Sequence, residues 1–304
     1  MANYKIILRP DALPLDLDNK HNELEIGFGN DEYTVSYAKS KPDIMLYGFE
    51  MSYSCVLQCA RRADGLNNLR IFRADAQTLL NIIFAKNSLD KIYMNFPCPW
   101  PKRRHANKRV TAGNFADNFL RVLKPNGLFE LVTDDKDYAE QTKINFMSRD
   151  ALSLKSFEIN PERKVKTKYE RKWLAMGKEI YRLIFEKVKE INIIKDIKDI
   201  KDIKEENNFM NLNFAEPVSE DFVKSLNGIS GRDEAKGAYW SFGRYYKSDD
   251  ALLLDAFAVD DEFKQRYYIK FHDNRMQLDN TASAYMTPAV KNSLKDIIAR
   301  FNNF

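Results

Sequence analysis

At 304 residues, 44% of them hydrophobic and 30% charged, the chain has the composition of an ordinary globular protein and is long enough for two domains. No apolar run reaches the length of a membrane span and the first residues lack a signal-peptide pattern, so a cytoplasmic location is expected. Three cysteines (Cys55, Cys59, Cys98) without paired spacing fit a reducing compartment. Three scattered histidines (His21, His105, His272) complete no zinc set, so no metal is expected. The net charge of +4 is unevenly placed: residues 209–304 hold 12 Lys and Arg against 14 Asp and Glu, whereas residues 1–208 hold 36 against 30. An anionic partner is therefore expected on the first two-thirds.

In chain order, residues 4–8 suggest a short edge strand ended by Pro10 and Pro14. The first strong element is Glu23-Leu24-Glu25-Ile26-Gly27-Phe28-Gly29-Asn30, an apolar strand running into two glycines spaced by one residue. A helix-compatible stretch, 32–40, follows. Glycines there let backbone approach a ligand and present a helix amino terminus to an anion. A second strand, 44–49, ends on Glu50, 23 residues after Gly27, where doubly wound folds hold ribose hydroxyls. Helix 52–64, strand 69–72, the turn Arg73-Ala74-Asp75-Ala76, helix 77–85 and strand 91–96 continue a parallel-sheet rhythm. Glu25, Glu50 and Asp75 each fall at a successive strand end or start.

Residues 97–101 then carry three prolines, Pro97, Pro99 and Pro101, around Cys98 and Trp100. Proline fixes φ and removes backbone donors, so the strand cannot continue and a stiff loop must leave its end. Lys102, Arg103, Arg104, Lys108 and Arg109 follow with His105 and no acid, a pattern suited to a polyanion. Helix 115–123 leads to a turn at Lys124-Pro125-Asn126-Gly127, then to strand 128–133 ending in Asp134-Asp135. A second basic tract, 163–172, contains Thr167-Lys168-Tyr169-Glu170, and an apolar segment, 180–185, reads as a terminal strand. Residues 194–204 repeat Lys-Asp-Ile with isoleucine every third position, a low-complexity linker. The expected domains are 1–190, a linker at 191–208, and a small α+β unit at 209–304. In the last unit aromatic-rich stretches at 238–246, 252–259 and 266–271 read as antiparallel strands with core aromatics, and Pro288 opens a closing helix.

These strings resemble the tRNA (guanine-N7-)-methyltransferases, a class I S-adenosylmethionine-dependent family. The matches are Leu24 to Gly29, Gly48-Phe49-Glu50, Phe96-Pro97-Cys98-Pro99-Trp100-Pro101-Lys102-Arg103-Arg104-His105, Arg121 to Gly127, Thr133-Asp134 and Thr167 to Glu170, in family order across residues 22–187. The carboxy-terminal unit resembles the extra domain of ε-proteobacterial members. The resemblance implies a Rossmann-like doubly wound sheet, S-adenosylmethionine as cofactor and tRNA as partner, with the guanosine at position 46 as the target. It places Glu25, Gly27, Gly29, Glu50, Asp75, Ala76 and Cys98 around the cofactor. Lys102, Asp134, Thr167, Lys168, Tyr169 and Glu170 would then contact the tRNA.

Three features depart from the family pattern. Cys98 stands where an acid is usual, Asn30-Asp31 replaces a third glycine, and the stretch before the first strand is shorter. Guanine N7 carries a free lone pair, so no residue is assigned as a catalytic base; alignment and electrostatics would do the work. Asp134 or Glu170 would supply the negative charge that Cys98 lacks, in a pocket adapted to a neutral thiol. The alternative is an RNA-binding protein on the same fold with weakened or lost catalysis. A methyltransferase for small molecules or proteins fits the basic tracts less well.

Overall fold

The computed structural model describes residues 15, 17, 21–98, 115–163, 165–190, 211–248, 250–261, 263–279 and 284–304, which fall into two compact units on either side of the 191–210 segment. The expected strand at 4–8, the loop at 99–110 and the Lys-Asp-Ile linker lie outside the described residues.

The first unit runs β1 (His21–Ile26), α1 (Glu32–Ser40), β2 (Ile44–Glu50), α2 (Tyr53–Arg62), β3 (Leu69–Arg73), α3 (Ala76–Ile83) and β4 (Leu89–Asn95). It continues with α4 (Phe115–Val122), β5 (Leu123–Thr133), α5 (Lys136–Met147), β6 (Leu152–Ile159), α6 (Lys168–Ala175) and β7 (Tyr181–Lys187). The sheet order is β3-β2-β1-β4-β5-β7-β6. β1 to β5 pair in parallel, as the strand-helix rhythm predicts, and β7 runs antiparallel to both β5 and β6.

The inner strands read as apolar runs because helices follow each of them and both faces are covered. In β2 every residue from Ile44 to Phe49 is buried. Gly48 has a specific task there: a Cβ would fall 2.8 Å from the Phe28 ring, which crosses this point of the strand. Phe28 is buried, and Gly27 N donates to Phe49 O at 2.8 Å, so the loop after β1 folds back over β2.

One sequence-based expectation is corrected in this unit, and three elements appear where none was expected. Lys124 to Gly127 is not a turn that separates helix from strand. β5 already begins at Leu123, opposite Leu89, and the ladder resumes at Leu128 opposite Lys91, with the intervening residues forming an irregularity. Asn126 takes φ +63° there, a conformation that asparagine tolerates better than most residues. Beyond residue 134, α5, β6 and α6 went unpredicted because their apolar periodicity is weak: β6 keeps one buried residue, Leu152.

The second unit contains β8 (Asn211–Asn213), α7 (Glu220–Ser225), β9 (Ser230–Asp233), β10 (Ala238–Lys247), β11 (Leu252–Asp260), β12 (Phe263–His272), β13 (Arg275–Leu278) and α8 (Pro288–Phe301). Its six strands form an antiparallel sheet in the order β8-β13-β12-β11-β10-β9. Val290, Leu294 and Ile297 of α8 share one core with Trp240, Phe242, Leu254 and Tyr267. Trp240 Nε1 donates to Asp296 Oδ2 at 3.0 Å, so the indole is buried without losing its donor. The core role expected for the aromatics holds for these residues but not for Tyr246, which is exposed.

Candidate active site

A cleft of about 530 Å³ opens at the carboxyl ends of β1, β4 and β5. β1 connects onward to β2 on one side and β4 to β5 on the other, so the cleft lies at the point where the strand order reverses. Open α/β sheets bind their ligands there, because no crossover helix fills the crevice.

Gly27 (φ +74°) and Gly29 (φ +54°) form its floor next to β1, in a conformation that other residues adopt at a cost. A Cβ built on either would meet nothing within 4 Å, so the turn faces open space. Asp31, where the third glycine is absent, also takes a left-handed conformation (φ +61°). Its Oδ1 accepts from Arg62 Nη1 at 2.7 Å, a pairing that anchors the turn to α2. Glu50, at the end of β2, accepts from Gly29 N through Oε2 at 2.9 Å and from Ser52 N through Oε1 at 2.8 Å. It does not itself line the cleft; it braces the glycine turn that does.

Below the turn lies a buried polar chain. Glu25 accepts from Thr34 Oγ1 at 2.6 Å and from Asn95 Nδ2 at 2.9 Å. Asn95, the last residue of β4, accepts in turn from Arg163 Nη2 at 2.7 Å, and Arg163 Nη1 reaches Glu170 Oε2 at 2.8 Å. The Arg163 guanidinium also lies over the Tyr33 ring, 5.3 Å from its centroid. Burial pushes the Glu25 carboxyl up to about 7, against the lowering pull of its Thr34 and Asn95 hydrogen bonds. One carboxyl in the floor therefore titrates near neutrality.

The other wall begins at Phe96, which holds φ +53° immediately before Pro97 while its N–H donates to Val132 O at 2.7 Å. An aromatic residue in this region is strained, and such strain is held by surrounding structure. It turns the chain out of β4 so that Pro97 and Cys98 line the cleft, Cys98 exposed. Asp134, after β5, is paired with Lys178 Nζ at 2.6 Å. The same ammonium sits 3.8 Å from the centroid of the Trp173 ring, and both residues line the cleft.

The Thr167 to Glu170 string divides its work. Thr167 caps α6, accepting from Glu170 N at 3.0 Å, and is buried. Glu170, 1% exposed, is committed to Arg163 and turned inward, behind the cleft wall. Tyr169 is half exposed and lines the cleft, and Lys168 opens the helix. A Thr-x-x-Glu pattern is the sequence signature of a helix start, and it is the local signal that points to this structural role.

Of the expected residues, Glu25, Gly27, Gly29, Cys98, Asp134, Thr167 and Tyr169 share the cleft. Asp75 and Ala76 stand off its lining: Asp75 caps α3 through Gln77 N (3.3 Å) and Thr78 Oγ1 (2.9 Å), and Ala76 is buried. Lys102 lies outside the described residues. Asn95, Arg163, Trp173 and Lys178 were missed, because nothing local marks an asparagine at a strand end or a cation near a sheet edge. Among the described residues no cluster of His, Cys, Asp or Glu suits a metal ion, and no helix is long and apolar enough to cross a membrane.

The seven-stranded order, the reversed β7 and the glycine turn at the switch point define a methyltransferase of the Rossmann-like class. Residues 19–183 match a family model described as "Putative methyltransferase". The tRNA (guanine-N(7)-)-methyltransferase of Thermotoga maritima is 33% identical over 280 residues, which span 90% of this chain and 87% of that protein. The protein of the same description from Coprothermobacter proteolyticus is 27% identical over 92% of this chain and 86% of its own length. That of Campylobacter jejuni subsp. doylei is 30% identical over 81% of this chain and 64% of its own. The chain belongs to the tRNA (guanine-N(7)-)-methyltransferase family. Among solved structures, a 16S rRNA (adenine(1408)-N(1))-methyltransferase from Catenulisporales acidiphilia superposes with a TM-score of 0.47, at 13% identity over 62% of this chain and 95% of that one.

Proposed function

We propose that this chain methylates N7 of a guanosine in tRNA, at position 46 by its family resemblance, with S-adenosylmethionine as donor. The observation that carries the reading is the open glycine turn at the β1–β4 switch point, braced by Glu50 and lying over the buried Glu25 chain. The residues fit the cofactor. Nothing in the described structure occupies the space above Gly27 and Gly29. Each Glu50 oxygen accepts one backbone N–H, which leaves a lone pair on each for a ribose diol.

The cofactor, when bound, supplies an electrophilic methyl group. The chain's own part is positioning. Glu50 and the glycine turn would hold the ribose, and Glu25 would face the cofactor from the floor. Tyr169 and Trp173 offer aromatic surface in the same cleft, suited to a guanine base. Because N7 needs no deprotonation, a site without a general base suffices, and alignment dominates the rate.

Incubating unmodified tRNA with protein and S-adenosylmethionine should yield 7-methylguanosine, read by strand cleavage at the modified nucleotide. Cofactor binding without any modified nucleotide would favour the alternative, an RNA-binding protein that has lost catalysis. Cys98 in place of an acid supports that alternative. Asp31 does not, since its left-handed conformation and its Arg62 partner preserve the turn.

A further inference from the structure

The second unit is slightly acidic overall, with 12 cations and 14 acids in residues 209–304, yet its sheet separates the charges. β12 alternates strictly: Gln265, Tyr267 and Ile269 are buried beneath α8, while Lys264 and Arg266 are exposed on the opposite face. Tyr268 and Lys270 continue that outer row. Across the sheet, Lys264 opposes Val259, which opposes Tyr239, which opposes Arg232. Lys270 opposes Leu253, and Leu253 opposes Tyr246. Arg275 of β13 opposes His272 on the same face.

Among the described strand residues this face therefore presents five cations, Arg232, Lys264, Arg266, Lys270 and Arg275, with one acid, Asp255; just beyond β9, Glu234 Oε1 lies 3.5 Å from Arg232 Nη1 in an exposed pair. Arg266 neutralises Asp255, with Nε 2.8 Å from Oδ1. Between the cations stand aromatic rings: Tyr246 is 49% exposed, and its ring meets Tyr268 edge-on at 6.2 Å. A polyanion alone would need only the charges. Rings set among cations on an open sheet match the chemistry of unpaired nucleotides, whose phosphates take the cations and whose bases stack.

We propose that the outer sheet face of the second unit is a second RNA-binding surface, engaging unpaired nucleotides of the tRNA that the first unit methylates; the identity of that RNA rests on the function proposed above. The alignment with the Thermotoga maritima protein covers 90% of this chain and so extends well into this unit.

The test uses the full chain, titrated with unmodified tRNA transcript at several salt concentrations. Two variants remove different parts of the face: Tyr246→Ala with Tyr268→Ala, and Lys264→Gln with Lys270→Gln. The tyrosine variant should bind at least about fivefold more weakly for each base that no longer stacks. The lysine variant should lower the slope of log affinity against log salt by about 0.7 for each phosphate it no longer neutralises. In both, KM for tRNA should rise while kcat at saturating tRNA stays. The lysine side chains lie off the core, so that variant reports even if the tyrosine variant unfolds. Wild-type affinity and wild-type salt slope in the lysine variant would overturn the proposal. If wild-type protein binds tRNA without transferring methyl and both variants weaken binding, the RNA face stands and the proposed activity falls.

Discussion

Arg163 Nη1 lies 2.8 Å from Glu170 Oε2, and the two side chains are 6% and 1% exposed. This pair joins the start of α6 to the Asn95–Glu25 chain under the cleft, so a residue of the Thr-Lys-Tyr-Glu string acts from behind the wall. Removing one partner of a buried pair leaves the other charge uncompensated, at a cost of about 3–5 kcal/mol. Glu170→Ala should therefore lower the urea midpoint sharply, whereas Tyr169→Ala, at a half-exposed position, should stay within about 0.5 kcal/mol of wild type. A stable Glu170→Ala protein with lost tRNA affinity would instead show the direct RNA role.

Glu25 gives a pH dependence with a definite sign. Its carboxyl rises from 4.5 to about 7 on folding, so between those values the folded state binds more protons than the unfolded one. Its contribution to stability is fully present below about 4.5 and is lost as pH rises through about 7, by up to about 3 kcal/mol. Glu25→Gln keeps an acceptor for Asn95 and should flatten this decline. Parallel melts of both proteins from pH 5 to 8 check it; equal slopes would show that the carboxyl does not titrate in this window.

At Asp31 the left-handed backbone and the Arg62 pair can be separated. Asp31→Gly loses the pair but accepts φ +61° freely, while Asp31→Ala loses the pair and keeps the steric cost. The glycine variant should be more stable than the alanine variant by about 1 kcal/mol. Cofactor affinity of the glycine variant, measured by calorimetry, should match wild type.

Glu50 braces the turn and offers its remaining lone pairs to a ribose. Glu50→Ala should weaken S-adenosylmethionine binding by about 1.5–3 kcal/mol, the usual worth of hydrogen bonds to a charged group. Titration calorimetry on the folded variant reads this directly. Unchanged affinity would remove the ribose assignment.

Cys98 carries a different kind of prediction, one about rate. From sequence, Asp134 or Glu170 would stand in for the missing acid. Both are paired, Asp134 with Lys178 and Glu170 with Arg163, so neither brings uncompensated negative charge to the cleft. That reverses the expectation of an adapted pocket. Cys98→Asp, at an exposed position, should stay ionised and favour the positive charge that develops on guanine. Its kcat should rise by about tenfold with KM for tRNA little changed, the signature of an interaction made only in the transition state. Single-turnover methylation of tRNA measures the step; equal rates in the two proteins would restore the adapted pocket.

The parallel half of the sheet was legible in the sequence because its determinants are local. Apolar runs such as residues 44–49 had to be strands buried on both faces, and Gly27 and Gly29 had to sit where backbone turns left-handed. Strand-end positions, taken with the parallel strand–helix rhythm of a doubly wound fold, therefore marked Glu25 and Glu50, and family motifs extended the reading to the second wall. What only the tertiary structure decided was how charges pair across long separations. Asn95 meets Glu25 from 70 positions away, Arg163 meets Asn95 from 68, and Lys178 meets Asp134 from 44. A carboxylate's role depends on which cation the packing places beside it, and Coulomb energies between such residues follow distance in space, which sequence spacing does not encode. The outer face of the second sheet shows the same limit: composition gave a mildly acidic unit, and only strand register sorted its cations and rings onto one side.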